Sequence, residues 1–135
     1  MGKQVGVWVD RRKAVIVTIA QDEEVMQVVY SMIETHGRPS GGSRSRTLYG
    51  PQEVLADDSL QRQSSMHLKK YYNDIASYMK NADYIMLMGP GEARDELRKN
   101  LDRRMMREKI LAVEPAEKMT DREVAARVRA FYANL

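Results

Sequence analysis

The residues best equipped for chemistry in this 135-residue chain lie between Thr35 and Arg46, THGRPSGGSRSR. His36, Arg38, Arg44 and Arg46 surround the pair Gly41-Gly42 with Ser43 beside it, and no acidic residue stands between Glu34 and Glu53. Guanidinium groups bind phosphate oxygens bidentately, and glycines let backbone N–H groups come close to an anion. The segment has no apolar side chain able to hold it in a core, so an irregular basic loop is expected at about 35–62. Long irregular segments in small domains are typically functional or disordered. The bland alternative is a solvated loop whose arginines only aid solubility.

Other chemistry-bearing residues form weaker patterns. Asp10 ends the first apolar run, where a two-metal nuclease could place a ligand, and Glu34, Asp83 and Glu114 also lie near strand ends. No recognised spacing links them, and such a site needs several convergent carboxylates. Asp10 before Arg11-Arg12 reads first as a hairpin residue. His36 and His67 cannot build a zinc site alone, and the chain has no cysteine to complete one. No G-x-S-x-G elbow occurs. Gly89-Pro90-Gly91 resembles a strand-to-helix phosphate turn but lacks the Lys-Ser/Thr ending of a P-loop, so a structural turn is the better reading. Neither a metal nor an organic cofactor is expected, and no catalytic residue is assigned.

Composition sets the frame for these residues. The 22 Lys and Arg against 19 Asp and Glu leave a formal charge of +3, which permits a nucleic-acid partner without demanding one. No apolar run is long enough to span a bilayer, and the opening MGKQVGVWVD is charged too early for a signal peptide, so a cytoplasmic protein is expected. The length suits a single domain, 1–135, with one core.

The elements that must position the basic loop follow from periodicity. Val5, Val7 and Val9 alternate with Gly6 and Trp8, Ala14 to Ala20 is a β-branched run, and Glu24 to Ile33 is a third apolar run. Short polar links between them favour antiparallel hairpins. Leu68, Tyr71, Tyr72, Ile75 and Met79 then fall on one face of a helix, with Lys69, Lys70, Asn73, Asp74 and Lys80 on the other. Tyr84 to Met88 reads as a buried strand. Pro90-Gly91-Glu92 opens a helix whose apolar face would be Ala93, Leu97, Leu101 and Met105, and Ile110 to Val113 is a further strand. Thr120 and Glu123 have the spacing of a capping box, ahead of a stripe of Val124, Val128, Phe131, Tyr132 and Leu135. The ten methionines fall on apolar faces, where a core role is the default. The order βββαβαβα predicts an α/β sheet in which three antiparallel N-terminal strands join parallel strands flanked by helices, a ribonuclease H-like arrangement.

Three collinear segments resemble a known family. His36-Gly37-Arg38 with Gly41-Gly42-Ser43, Arg44 and Arg46 is similar to the K-H-G-R-G-G-Q-S-x-x-R loop in the middle domain of the eukaryotic and archaeal peptide-release factor and Pelota family. Lys70-Tyr71-Tyr72-Asn73-Asp74-Ile75 resembles the helix after that loop, and Tyr84 to Gly91 with Asp95 and Leu97 resembles the strand-Gly-Pro-helix unit. The opening VWVDRRKAVIV resembles its first hairpin. The resemblance implies the ribonuclease H-like fold of translational-machinery components and a ribosomal partner, as a stand-alone bacterial-type protein with a degenerate motif. Two departures matter. Pro39-Ser40 is inserted, and Ser43 stands in place of the glutamine, whose amide both donates and accepts at longer reach than a hydroxyl. The chain also has no room for the family's codon-reading domain, so codon-dependent termination is not expected.

The leading expectation is a non-catalytic factor of rescue, hibernation or stress type. It would bind the ribosome or ribosomal RNA or tRNA through His36, Arg38, Gly41, Gly42, Ser43, Arg44 and Arg46. The alternatives are a peptidyl-tRNA ester hydrolase with a degenerate loop, and an interaction module that keeps only the fold. In the latter, a sheet edge or the Tyr-rich helix would meet a protein partner or a second copy.

Overall fold

The computed structural model describes residues 2–31 and 66–135. Within them the chain forms β1 (Gln4–Val9), β2 (Lys13–Ala20), β3 (Glu23–Tyr30), a helix α1 over 66–78, β4 (Tyr84–Gly89), α2 (Gly91–Arg103), β5 (Ile110–Pro115) and α3 (Asp121–Ala133). A short 3-10 turn, Arg107–Lys109, precedes β5. The strands make one five-stranded sheet in the order β3-β2-β1-β4-β5. β1, β2 and β3 are an antiparallel meander, while β4 lies parallel to β1 and β5 parallel to β4. The β2–β3 connection is a two-residue turn with positive φ at both Gln21 and Asp22, the geometry whose twist matches paired strands.

The sheet is covered on both faces. Val5, Val7, Val9, Ile16, Ile85 and Leu87 pack with Tyr71, Tyr72, Ile75 and Met79 of the α1 region and Ala93, Leu97 and Leu101 of α2. Trp8, Val15, Val17, Met86 and Met88 pack on the opposite face against Val124, Ala125, Val128 and Tyr132 of α3. Residues 5–9 are therefore all buried, because β1 is central and roofed twice, not half-exposed as its alternating pattern would allow. Gly6 makes the second roof close-fitting, since a Cβ there would lie 2.3 Å from Cγ2 of Val128. The Trp8 indole N–H donates to the Glu117 carbonyl at 3.1 Å, and the Tyr132 hydroxyl to the Val5 carbonyl at 2.6 Å, tying both ends of α3's layer to β1.

Two helix ends depart from the sequence reading. The α3 stripe does not reach Leu135, which is 72% exposed beyond the helix end, and Phe131 is only partly buried. In α2 the helix ends before Met105, which is 87% exposed with φ +64. The Met106 N–H returns to the Leu101 carbonyl and the Met105 N–H to the Asp102 carbonyl, both at 3.0 Å, a Schellman close. Met106 is the residue that turns back onto Leu101 and the core. Methionine is thus core at 79, 86, 88 and 106, but Met26, Met66 and Met105 are exposed. Replacing Met105 by glycine should stabilise the protein by about 0.5–1 kcal/mol. It relieves a left-handed residue and removes no packing, partly offset by the looser unfolded chain. Urea denaturation checks this, and an unchanged or lower midpoint would contradict it.

The α3 capping box is present in full. The Glu123 N–H donates to Thr120 Oγ1 at 3.1 Å and the Thr120 N–H to Glu123 Oε1 at 2.8 Å, which holds the Glu123 carboxyl below its ordinary pKa.

Candidate nucleic-acid interface

The described residues next to the candidate basic segment are those that flank the 32–65 stretch, around Ser31 and His67. At the exit, Ser31 is buried. Its N–H donates to the Arg12 carbonyl at 2.9 Å and its hydroxyl to the Arg11 carbonyl at 2.6 Å. Asp10 shapes that β1–β2 turn: one oxygen, Oδ1, accepts the N–H groups of Arg12 at 2.7 Å and Lys13 at 2.8 Å. At the return, the α1 residue Tyr71 donates its hydroxyl to the Asp10 carbonyl at 2.8 Å. Burial drives the Tyr71 phenol far above its ordinary pKa, with the Asp10 charge adding to it. Tyr30, Ser31, His67, Lys70, Tyr71 and Asp74 line one recess of about 120 Å3, so Ser31 and His67, on either side of the 32–65 stretch, lie at the same sheet edge.

This edge is the carboxyl end of the parallel pair β1 and β4. Open α/β sheets place ligands there. Arg11 crosses to the start of α2, with Nη2 2.7 Å from Glu92 Oε2 and 3.1 Å from Glu96 Oε2. The other Glu96 oxygen accepts the Tyr72 hydroxyl at 2.5 Å. Glu96 also holds Arg11 further above its already high pKa. The Gly89-Pro90-Gly91 turn therefore faces carboxylates, since Glu92 sits in the first turn of α2, and it reads as a structural bend.

Beside it, α1 and α2 run in the same sense and enclose an open groove of about 320 Å3 lined by Leu68, Lys69, Tyr72, Glu96, Lys99, Asn100 and Arg103. Its floor is cross-linked. Asn100 Nδ2 donates to Asn73 Oδ1 at 2.9 Å, and Arg104 donates to Asn100 Oδ1 at 2.8 Å and Asn73 Oδ1 at 3.0 Å. Periodicity placed Lys69 and Asn73 on the outer face of α1, but it could not show that α2 brings Lys99 and Arg103 alongside.

Of the acids weighed for a metal site, the three described ones, Asp10, Asp83 and Glu114, do not converge. Asp83 accepts the Lys3 N–H at 2.8 Å at the amino end of β4, opposite to Asp10, and Glu114 pairs with Arg127 at 3.6 Å. Among the described residues no group of three or more His, Cys, Asp or Glu is placed to hold a metal ion. No described helix is long and apolar enough to cross a membrane. Tyr71 and Tyr72 are buried with their hydroxyls engaged, so of the tyrosines in this described helix only Tyr78 is exposed. His36, Arg38, Gly41, Gly42, Ser43, Arg44 and Arg46, and with them Glu34, lie outside the described residues.

No protein-family profile matches the chain, and no curated protein matches its sequence. Solved structures do match. The chain is similar to the Thermoplasma acidophilum Pelota protein, with a TM-score of 0.56 and 20% identity, over 96% of this chain and 32% of that one. The fold is shared with part of Pelota. The chain spans about a third of the length of the Pelota chain it matches. The archaeal translation termination factor aRF1 aligns with a TM-score of 0.46 and 12% identity, over 98% of this chain and 39% of that one.

Proposed function

We propose that this protein is a translation-associated factor that binds the ribosome or its RNA without catalysing a reaction. In this reading Arg38, Arg44 and Arg46 neutralise phosphates, His36 and Ser43 add polar contacts, and Gly41-Gly42 permit close backbone approach. The observation that carries it is the pairing of a Pelota-like fold with the basic, acid-free Thr35–Arg46 run, which belongs to a stretch whose flanking residues, Ser31 and His67, meet at one sheet edge. The order β3-β2-β1-β4-β5, antiparallel on one side and parallel on the other, supports reading the fold as ribonuclease H-like. Ser43 in place of glutamine supports binding without hydrolysis, because its hydroxyl cannot reach as far toward an attacking water. Ribosome binding would place the protein in the cytoplasm.

The test is co-sedimentation with purified ribosomes over a salt series. Affinity should fall steeply with salt, and the variant Arg38→Ala/Arg44→Ala/Arg46→Ala should bind more than about tenfold more weakly, as three lost phosphate contacts require. Salt-independent sedimentation, or none at all, would refute the proposal. Release of the ester-linked peptide from peptidyl-tRNA by the added protein would overturn its non-catalytic part.

A further inference from the structure

The described cations are unevenly paired. On the α3 face, Arg127 meets Glu114 at 3.6 Å, Arg129 meets Glu24 at 2.8 Å, and Lys13 meets Asp121 at 2.9 Å. Within α2, Arg98 meets Asp102 at 3.5 Å and Arg94 meets Asp95 at 3.6 Å. In the groove between α1 and α2, Lys69, Lys99 and Arg103 are all exposed, and among the described residues none of them has a carboxylate within ion-pair distance. Among the described residues the single acid lining that groove is Glu96, and both its oxygens are already occupied, by Tyr72 and by Arg11. The groove is therefore a concave strip of three positive charges with no free counter-charge among the described residues. Clefts lined by one sign of charge concentrate the opposite sign.

We infer that the α1–α2 groove is a second RNA contact, in which Lys69, Lys99 and Arg103 bind the sugar-phosphate backbone. Lys99 and Arg103 stand one helical turn apart on α2, about 6 Å along the axis, and Lys69 faces them from α1. Such a row suits a strand whose charges recur every few ångströms. The Asn73–Asn100–Arg104 network fixes the distance between the two helices, so the row is held in place before anything binds. Leu68 and Lys69 belong to the first described turn of α1, so the groove begins next to the point where residues 32–65 rejoin the fold. RNA bound by that segment would be led along the groove. The inference rests on the RNA-binding reading for the identity of the polyanion, and on geometry alone for the site.

Binding of a short fluorescein-labelled RNA hairpin, followed by anisotropy between about 50 and 200 mM salt, tests it. Lys69→Gln/Lys99→Gln/Arg103→Gln should weaken binding tenfold or more and reduce the slope of log K against log salt by about 2 to 3. A variant of equal net charge on the other face, Lys118→Gln/Arg122→Gln/Arg127→Gln, should change affinity less than threefold. Equal losses in the two variants would show a general field and overturn the groove, as would no loss in the first, or no binding by the unmodified protein. A parallel loss of binding to labelled poly-glutamate would make the groove an acidic-protein surface and also overturn it. If Arg38→Ala/Arg44→Ala/Arg46→Ala binds the hairpin normally while the groove variant does not, the groove stands and the proposed role of the basic segment falls. The converse result leaves that role standing and removes the groove.

Discussion

Gly89→Ala should cost about 4 kcal/mol or more, placing it among the few substitutions whose effect exceeds ordinary core changes. Gly89 is the last residue of β4, buried, with φ +145, a conformation that side-chain-bearing residues rarely adopt. A Cβ at this position would lie 2.1 Å from the Val9 carbonyl oxygen of the neighbouring parallel strand. That oxygen belongs to the backbone of the central strand and has no rotamer through which to escape. The Gly89 carbonyl is also engaged: it accepts from the Ala116 N–H at 3.2 Å and from Arg94 Nη1 at 3.1 Å. The strand end, the turn into α2 and the end of β5 would thus move together. Chemical denaturation of the variant is the measurement. A loss under about 1 kcal/mol would mean that β1 and β4 separate freely at this end, contrary to the packing described. Gly91, with φ +53 but open space where a Cβ would stand, should tolerate alanine better.

Stability should also collapse in alkali, by about 4 kcal/mol between neutral pH and pH 11. The cause is three buried phenols. Burial is the main force raising the pKa values of Tyr71, Tyr72 and Tyr132 well above the ordinary 10.0, and the Glu96 carboxylate adds to the shift at Tyr72. A group whose folded pKa exceeds its unfolded one contributes stability that is complete below the unfolded pKa. That contribution is lost as pH rises, because the unfolded chain releases the proton first. Each phenol then costs about 1.4 kcal/mol by pH 11, and three together give the figure above. Lys13 acts with the same sign, since its hydrogen bond to Asp121 raises its pKa too. Urea midpoints against pH, read with tyrosinate absorbance, would show this. Tyr132→Phe should flatten the decline by about a third while losing the hydrogen bond to Val5. Full ionisation of the phenols in a protein still folded would contradict the prediction.

Sequence and structure agree where a pattern is local. The Thr120–Glu123 box announces α3 because both partners lie within one turn, and Asp10 reads as a hairpin residue because the N–H donors to its carboxylate are two and three positions away. The α1 face from Tyr71 to Met79 is legible for the same reason. Two apolar stripes run too far at their carboxyl ends, at Met105 and Leu135. Periodicity continues past a helix end unless a glycine marks it; at α2 the left-handed closing residue is a methionine, and α3 ends at Asn134 with no left-handed residue. The double roof over β1 was also hidden, since Gly6 and Trp8 look like an outward face until α3 is seen to use the gap at Gly6.

The amino-acid sequence by itself determined the order of the described elements, the antiparallel meander and the identity of the basic Thr35–Arg46 segment, whose residues lie outside the described ones. These depend on periods of two and 3.6 and on short links, which a linear chain displays directly. Only the tertiary structure decided which charges are available. Arg11, Lys13, Arg127 and Arg129 pair with acids lying far from them in sequence. Lys69, Lys99 and Arg103, from two helices separated by a strand, share a groove whose one carboxylate is engaged elsewhere. A charge acts through distance and burial, and neither can be counted along the chain.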